Sequence, residues 1–416
     1  MKLKLEKVLI SFIIMGTLLN VEAADSKYPE AKKLTARSVD RNVEEPKNNK
    51  QSIDHHNNTV INKVIKKDFS RSSYPKVQSW NKDMTLIRIS NRLYNADTLI
   101  ESSLTSQYYS NSTASKGLCS RSSDYFRWSS VESNIFYVLN SSRKFIKATI
   151  NDNKIDCTNS IESFRDYEVI HIGPHEGNID NRDKYVVFIA KKRNNKAVYV
   201  ILFDIEEEKR IWTKKLENNW WINVKGRWKL SSIDWISVSP SGKYIVLNES
   251  KINGASGGMY RYDINFKNKV KLQYKRHNKL LSQGGHGDMG YDTDGNEVLI
   301  QFIAGLGIYQ FNLDNPKEIG TNILSPYGGG HISCRNIERK GWCYITTHAK
   351  QYRSIFALKI DGSKDETVQA FTQTHMSEDI NKIFGSPSPD GTKVIFNSDW
   401  EKGDKNKVDT FVVTTY

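Results

Sequence analysis

One turn pattern recurs along the chain and limits the folds open to it. Its clearest copies are Ser239–Leu247 and Ser388–Phe396, in which Pro and Gly form a tight turn ahead of a run of apolar residues. A turn of this kind between two apolar runs is typical of a β-hairpin. Weaker copies bring the total to seven, with one marker residue each at positions 83, 134, 183, 242, 295, 341 and 391.

The spacing of these markers, about 50 residues, is the length of a propeller blade rather than of a solenoid repeat. Helical periodicity is scarce after the first markers, and 38% hydrophobic residues are enough for a large core. The sequence therefore predicts an all-β fold, namely a seven-bladed β-propeller of four-stranded antiparallel blades over residues 74–416. The stretch Val60–Ile65 is a candidate closing strand for the last blade.

The N-terminus has the pattern of an export signal. Lysines precede the apolar run Val8–Leu19, and small residues lead up to Ala23. We expect a signal peptide at 1–23 and a secreted or periplasmic mature protein that keeps no membrane span. The alternative is a retained membrane anchor, although the apolar run is shorter than the ~20 residues that a span needs. Residues 24–73 are rich in Lys, Asn, Asp and Ser, which predicts a flexible polar leader.

Four cysteines suit an oxidising compartment and allow three disulfide connectivities. We favour the local pairs. Cys334 and Cys343 flank the turn of the sixth blade, and Cys119 and Cys157 bracket the second. Unpaired buried thiols remain the alternative.

The net charge of +14 and the pI near 9.3 favour an anionic partner. For an exported chain without a nucleic-acid motif, the polyanions at hand are acidic polysaccharides, anionic lipid headgroups and cell-wall polymers. The alternative is a general abundance of lysine, since the charge is spread along the chain rather than clustered. We expect a monomer that binds an acidic polysaccharide and no nucleic acid.

Three histidines share one phase of the repeat. His175, His286 and His331 each precede the next turn marker by eight to ten residues. That phase places each of them where the innermost strand of a blade begins, so all three are expected at one mouth of the central channel. Glycines beside His286 and His331 leave room for a ligand. The alternative is that each histidine forms a structural hydrogen bond between blades.

Other polar residues are expected at the same mouth. Arg127 and Asp234 hold the equivalent phase in the second and fourth blades, and His348 follows the second strand of the sixth blade. We predict that the substrate is bound by Arg127, His348, Asp234 and Asp288. The predicted catalytic residues are His286, His331, His175 and Arg335.

The Ser-Pro-Ser-Gly and Ser-Pro-Asp-Gly turns resemble TolB-type propeller repeats over roughly residues 75–416. Together with His286-Gly287-Asp288, His331 to Arg335 and the last turn before Trp400, they are similar to the propeller polysaccharide lyases. The ulvan lyases are the nearer resemblance, and the oligogalacturonate lyases the more distant. The resemblance implies that the sugar binds at one mouth of the channel. It would be surrounded there either by histidines with a tyrosine and an arginine, or by a metal held by histidines.

Cleavage of a uronate by β-elimination needs three groups. One neutralises the carboxylate, one removes the C5 proton and one protonates the leaving oxygen. Arg127 and Arg335 suit the first task, the histidines suit the second, and Tyr291 or Tyr344 suits the third. The substrate is then an acidic, uronate-containing polysaccharide, sulfated or not.

Two questions stay open at this point. The first is the cofactor, for which a divalent metal such as calcium, zinc or manganese is a candidate. Asp292–Glu297 resembles a short calcium loop as well as a plain hairpin turn. The alternative function is that of a non-catalytic TolB-type propeller, serving as a periplasmic platform for binding proteins or glycans.

Overall fold

The computed structural model describes residues 27–33, 43–47, 50–64, 72–108, 119, 125–249, 257–325, 329–347, 353–363, 365–376, 383–403 and 408–415. Apart from helix α1 (Thr105–Tyr108) and a 3₁₀ turn at Gly173–His175, the regular structure of these residues is β. The all-β prediction is confirmed to that extent.

The strands are numbered in chain order. The first ten are β1 (Ala31–Lys33), β2 (Ser52–Asp54), β3 (Thr59–Lys63), β4 (Leu86–Ile89), β5 (Arg92–Asn95), β6 (Phe126–Trp128), β7 (Ile135–Leu139), β8 (Lys144–Asn151), β9 (Lys154–Asp156) and β10 (Ser160–Ser163). The next ten are β11 (Tyr167–Ile172), β12 (Tyr185–Lys192), β13 (Ala197–Asp204), β14 (Lys209–Val224), β15 (Arg227–Leu230), β16 (Ile233–Val238), β17 (Tyr244–Glu249), β18 (Gly258–Asp263), β19 (Val270–Arg276) and β20 (Lys279–Leu281). The last are β21 (Gly287–Tyr291), β22 (Glu297–Ile303), β23 (Gly307–Asn312), β24 (Ile319–Leu324), β25 (Gly330–Ser333), β26 (Trp342–Thr347), β27 (Ser354–Lys359), β28 (Thr367–Gln373), β29 (Ser386–Pro387), β30 (Lys393–Ser398) and β31 (Asp409–Thr415).

Consecutive strands pair antiparallel into up-and-down sheets. Four-strand series run β6-β7-β8-β10, β11-β12-β13-β14, β16-β17-β18-β19, β21-β22-β23-β24 and β25-β26-β27-β28. The third and fourth of these series join into one nine-stranded sheet, because β19 and β24 pair in parallel. A two-stranded sheet of β4 and β5 precedes them, and β29-β30-β31 follows.

The predicted turns join the first two strands of several series. Gly242, Gly295 and Gly391 adopt φ values of 75°, 85° and 75°, which are open to glycine without strain. The Asp292 carboxylate accepts hydrogen bonds from the backbone N–H groups of Asp294 and Asn296, at 3.0 and 2.8 Å. Asp292–Glu297 therefore forms the plain hairpin turn between β21 and β22.

Strands from the N-terminal stretch complete two sheets. β3 pairs antiparallel with β31, with Ile61 opposite Val413, so the candidate closing strand does pair with the last series. β2 extends that sheet beyond β3, and β1 pairs with β28. These three strands lie in the stretch for which the composition predicts a flexible leader. Pairing satisfies the open N–H and C=O groups of the outer strands, which stabilises these segments. Amino-acid composition carries no information about such pairing.

The core is divided among clusters that lie between neighbouring sheets. One holds Ile345 of β26 and Val298 of β22, and another holds Phe188 of β12 and Phe145 of β8. The series of sheets also returns to its start, since Ile395 of β30 packs with Ile87 of β4. The sheets therefore pack face to face in a closed series, with their innermost strands around the centre.

Two disulfides link Cys334 to Cys343 and Cys119 to Cys157, with Cα atoms 4.5 and 5.3 Å apart. Both favoured pairings are confirmed. Within the described ranges, no helix is long and apolar enough to cross a membrane.

Candidate functional site

Two of the three phased histidines contact each other. His286 directly precedes β21, and His331 lies in β25, so each stands where an innermost strand begins. Their rings are nearly parallel, with centroids 4.8 Å apart and planes at 16°. His331 is buried, with 5% of its surface exposed, whereas His286 is exposed. His286 is therefore the ring of the pair that a ligand can reach.

A backbone hydrogen bond sets the chemistry of His286. Its Nδ1 lies 3.0 Å from the carbonyl oxygen of Gly330. Because a carbonyl oxygen only accepts, Nδ1 carries the hydrogen, and in the neutral ring Nε2 presents a lone pair. The site therefore offers an oriented base.

The glycines beside the pair are required by close contacts. Gly330 has φ 158°, and a Cβ there would lie 2.1 Å from the carbonyl oxygen of Thr346. A Cβ at Gly284 would lie 2.3 Å from Oδ1 of Asn248. Side chains at these positions would displace the backbone that carries His286 and His331.

Two further aromatic rings enclose the pair. Tyr74 stands edge-on to His331 and His286, with centroid distances of 5.4 and 6.4 Å and interplanar angles of 89°. Phe384 meets His331 edge-on at 5.1 Å. Burial, together with the negative charges of Glu176, Asp234 and Asp288, raises the pKa of Tyr74 far above its usual value. Its phenol is therefore a neutral hydroxyl that can donate a proton.

The segment that carries Tyr74 leaves its sheet and fills the centre of the molecule. Bridges pair Ser72 with Ile89 and Trp80 with Ile87, and the residues between them detour from that sheet. The carbonyl oxygen of Pro75 accepts a hydrogen bond from Ser333 Oγ at 2.6 Å. The segment therefore links the β4–β5 sheet to β25.

Further bonds hold this segment in place. The carbonyl oxygen of Lys76 accepts a hydrogen bond from Asn178 Nδ2 at 2.9 Å. Gln78 Nε2 donates to the carbonyl oxygen of Arg335 at 2.8 Å. Sheets on different sides of the centre thus contact one short piece of chain, which fixes Tyr74 relative to the histidines.

Lys76 brings a buried positive charge to this place. Its Nζ lies 2.9 Å from Glu176 Oε2 and 3.4 Å from the centre of the Trp235 ring. Burial lowers the pKa of Lys76, while the charges of Glu176, Asp288 and Asp234 oppose that shift. The ion pair and the cation–π contact compensate only in part for the lost hydration of the ammonium, since the pKa stays lowered.

Asp234 stands at the equivalent phase on β16 and accepts a hydrogen bond from Asn248 Nδ2 at 3.0 Å. The pKa of Asp234 is raised by burial and by the charge of Glu176, against the attraction of Lys76 and His286. Asp234 is nevertheless exposed at the surface. We call the set Tyr74, Glu176, Asp234, His286, His331 and Phe384 the recess.

Asp288 and Arg335, both predicted for this site, instead bind each other. Arg335 Nε and Nη2 lie 3.1 Å from the two carboxylate oxygens of Asp288. Asp288 also accepts a hydrogen bond from the backbone N–H of Cys334 at 2.8 Å. Both side chains are nearly fully buried. Their contacts are those of a structural ion pair that ties β21 to the end of β25.

Arg127 is also engaged by the protein. It is 3% exposed, and its Nε and Nη1 donate to the carbonyl oxygens of Gly177 and Phe126, each at 2.7 Å. Arg127 and Arg335 border a small cavity of about 30 Å³ that also touches turn residues Ser130 and Pro389. Both guanidinium groups are thus held by protein partners.

Three other predicted residues have separate outcomes. His175 is the last residue of the 3₁₀ turn that follows β11. Its side chain lies outside the described residues. The whole of His348 lies outside them too. Tyr344 is buried, and its hydroxyl bonds with Arg339 and the Gly391 carbonyl, so its role is structural.

A metal finds few ligands in this arrangement. Across the described ranges, no three or more His, Cys, Asp or Glu side chains gather closely enough to hold a metal ion. The rings of His286 and His331 also turn their faces to each other, whereas histidine binds metals through nitrogens in the ring plane. The described residues therefore do not fit a metal centre.

A cleft of about 650 Å³ starts at Asp234 and His286 and is lined by residues of β16, β17, β19, β20 and the connection from β20 to β21. Asp234 and His286 form its inner end, and its far wall comes from β19 and β20. This cleft connects the exposed histidine to a surface large enough for several sugar units.

Sequence reasoning missed Tyr74, Lys76 and Phe384. Tyr74 and Lys76 precede the first turn marker by nearly the same number of positions as the phased histidines precede theirs. That phase is the signal that could have found them. Phe384 lies in a connection without a pattern of its own, and no sequence signal marks it.

No protein-family model and no curated protein matches the chain. Among solved structures, it is similar to an oligogalacturonate lyase in complex with manganese, with TM-score 0.59 and 10% identity over 94% of this chain and 98% of that one. It is similar to an oligogalacturonate lyase from Vibrio parahaemolyticus, with TM-score 0.58 and 10% identity over 93% of this chain and 98% of that one. At this identity the likeness concerns the fold alone. Together with the closed series of sheets, it shows that the chain folds as a β-propeller.

Proposed function

We propose that this protein is a seven-bladed propeller lyase that cleaves an acidic, uronate-containing polysaccharide by β-elimination. The observation that carries the proposal is the accessible, oriented imidazole of His286, stacked on His331 and faced by the neutral phenol of Tyr74. The likeness to two oligogalacturonate lyases over nearly the whole chain supports a lyase on this fold. The closer resemblance to ulvan lyases stays a prediction.

The packing of the sheets supports the proposed count of seven blades. The β4–β5 sheet, the two halves of the nine-stranded sheet and the remaining series make seven units, and seven core clusters lie between successive units. β3 adds a fourth strand to the last unit by pairing with β31, and β2 lies beyond it. An experimental structure with six or eight blades would overturn the count.

Besides a group that neutralises the uronate carboxylate, the reaction needs a base at C5 and an acid at the oxygen on C4. In this proposal His286 Nε2 takes the proton from C5 of the uronate, the C4–O bond breaks, and C4=C5 becomes a double bond. Tyr74 gives its proton to the leaving oxygen. His286 then releases the C5 proton to solvent, and Tyr74 regains a proton, so both groups return to their starting state. Asp234, whose charge attracts His286, stabilises the imidazolium that forms.

Each group has a physical reason for its role. The bond from His286 Nδ1 to Gly330 fixes the ring, so little reorientation is needed for proton transfer. Tyr74 is held by the buried segment that crosses the centre, and its raised pKa means that the phenol keeps its proton at neutral pH. His331 and Phe384 pack around these groups and exclude water.

Export is part of the proposal. The signal-like residues 1–23 and two disulfides support a secreted or periplasmic protein. N-terminal sequencing of the protein recovered from its source tests this, with a first residue near Ala24 expected. An N-terminus at Met1 would contradict it.

A non-catalytic glycan-binding platform is the second candidate. The burial of His331 and the pairing of Arg335 with Asp288 favour it, because both remove groups that a lyase could use. Incubation with polygalacturonate and other uronate polymers separates the two. A lyase forms an unsaturated uronyl end that absorbs in the ultraviolet, whereas a platform binds the polymer and leaves the absorbance unchanged.

A further inference from the structure

The cleft that starts at His286 has a wall of mixed character. Lys271, Gln273 and Arg276 of β19 line it, and Leu280 and Leu281 of β20 add an apolar strip. These leucines are 52% and 37% exposed, which is high for apolar side chains on adjacent positions. The wall therefore combines a basic edge with an apolar surface.

Neither Lys271 nor Arg276 forms an ion pair with a carboxylate of the described residues. A neighbouring carboxylate of the same cleft, Glu249, is instead 3.7 Å from Lys269 Nζ. Asp234, at the inner end, lies in the field of Lys76 and His286. The two cations of the wall thus lack a described partner, whereas the nearby carboxylates have one.

Cations without partners that border a concave surface attract anions, and guanidinium and ammonium groups bind carboxylates and sulfates with charge-assisted hydrogen bonds. An apolar strip beside them suits the less polar face of a sugar ring. A chain of acidic sugars presents both features at once, with an anionic group on each unit and a ring face between them.

We propose that this cleft is a subsite for an acidic glycan chain, in which Lys271 and Arg276 bind the anionic groups of the sugar units next to the one at His286. The inference rests on the proposed function for the position of the cleaved unit. Lys271 and Arg276 would also supply the positive charge for an acidic sugar. Arg127 and Arg335 do not supply it to the recess, because both are held by protein partners.

The test compares two double variants on one hairpin. Lys271→Ala with Arg276→Ala removes the cations of the cleft. Lys275→Ala with Lys279→Ala removes two exposed lysines of the same β19–β20 hairpin that do not line the cleft. The two variants lose the same net charge, so any difference between them reports the place of the charge.

Polygalacturonate oligomers of defined length serve as the probe, with KM and kcat from the unsaturated product and Kd from calorimetry. The K271A/R276A variant is expected to raise KM and Kd for long oligomers about tenfold, the loss of two partly screened charge-assisted contacts. The effect on kcat should be smaller, and the K275A/K279A control should stay near the unaltered protein. For the shortest oligomer that is still cleaved, the loss should shrink.

Equal KM and Kd in the two double variants would overturn the subsite, even if the unaltered protein cleaves the polymer. Binding that depends on Lys271 and Arg276, without any unsaturated product, would retain the subsite and reject the lyase. Neither binding nor product with any uronate or sulfated oligomer would reject both.

Discussion

The rings of His286 and His331 lie nearly parallel, with centroids 4.8 Å apart, although His286 directly precedes β21 and His331 lies in β25 of a different sheet. The contact brings one exposed and one buried imidazole together where two strands begin. The exposed ring is held through Nδ1, which leaves Nε2 as the group that meets a ligand. The predictions below depend on this arrangement.

The first prediction separates the two nitrogens of His286. His286→Asn keeps an N–H that can donate to the Gly330 carbonyl but removes the basic Nε2. We expect His286→Asn and His286→Ala to lose at least the ~100-fold in kcat that is typical of a missing general base. Steady-state assays on polygalacturonate measure this, and thermal melts check that the variants stay folded. Full activity in His286→Asn would show that Nε2 is not the base.

The second prediction concerns the proton donor. Tyr74→Phe keeps the edge-on packing against both histidines and removes only the hydroxyl. We expect kcat to fall about 100-fold while KM changes little, because the lost proton matters in the transition state. Phe384→Leu serves as a packing control and should cost far less. Equal losses in the two variants would assign Tyr74 a packing role only.

The third prediction concerns stability and pH at Asp234. Its folded pKa is raised, so the folded state holds the proton more tightly than the unfolded chain does. The stability given by the protonated form is present below the unfolded pKa and is lost as pH rises through the folded pKa. Asp234→Asn should therefore raise the Tm at pH 7 and leave it nearly unchanged at about pH 3, where the carboxyl is protonated in both states.

Melting curves of both proteins at the two pH values decide this. A lower Tm for Asp234→Asn at pH 7 would mean that the carboxylate stabilises the fold, which contradicts a site that keeps a destabilising charge for function.

The fourth prediction tests whether Arg335 is structural. Arg335→Met leaves the buried carboxylate of Asp288 without its cation, and we expect the free energy of unfolding to fall by about 3–5 kcal/mol. The double variant Asp288→Asn with Arg335→Met should recover part of that loss, because no buried charge remains unpaired. Urea titrations measure both. A stable Arg335→Met protein without activity would return Arg335 to the catalytic residues.

Local signals predicted much of the fold. The Pro and Gly turns at Gly242 and Gly391 have the positive φ that their residue types imply, and both disulfides connect positions near in sequence or bracketing one series. The phase of His286 and His331 is also a local signal, because it is the number of residues from each histidine to the next turn marker. The structure places the two rings in contact.

Long-range contacts escaped the sequence. The bond between Asp288 and Arg335 joins two series, and nothing in either turn motif announces it. Lys76 reaches Glu176 and Trp235 because its segment leaves the first sheet and crosses the centre, which breaks the regular pattern that the repeat would predict.

The ultraviolet assay on polygalacturonate with the unaltered protein and His286→Asn, run beside calorimetric binding of an oligomer to both, separates a lyase that uses His286 from a binding platform. We expect both proteins to bind the oligomer with similar Kd, and only the unaltered protein to build up the unsaturated uronyl product. Binding by both proteins with no rise in absorbance from any uronate polymer would contradict it, and would leave a glycan-binding platform.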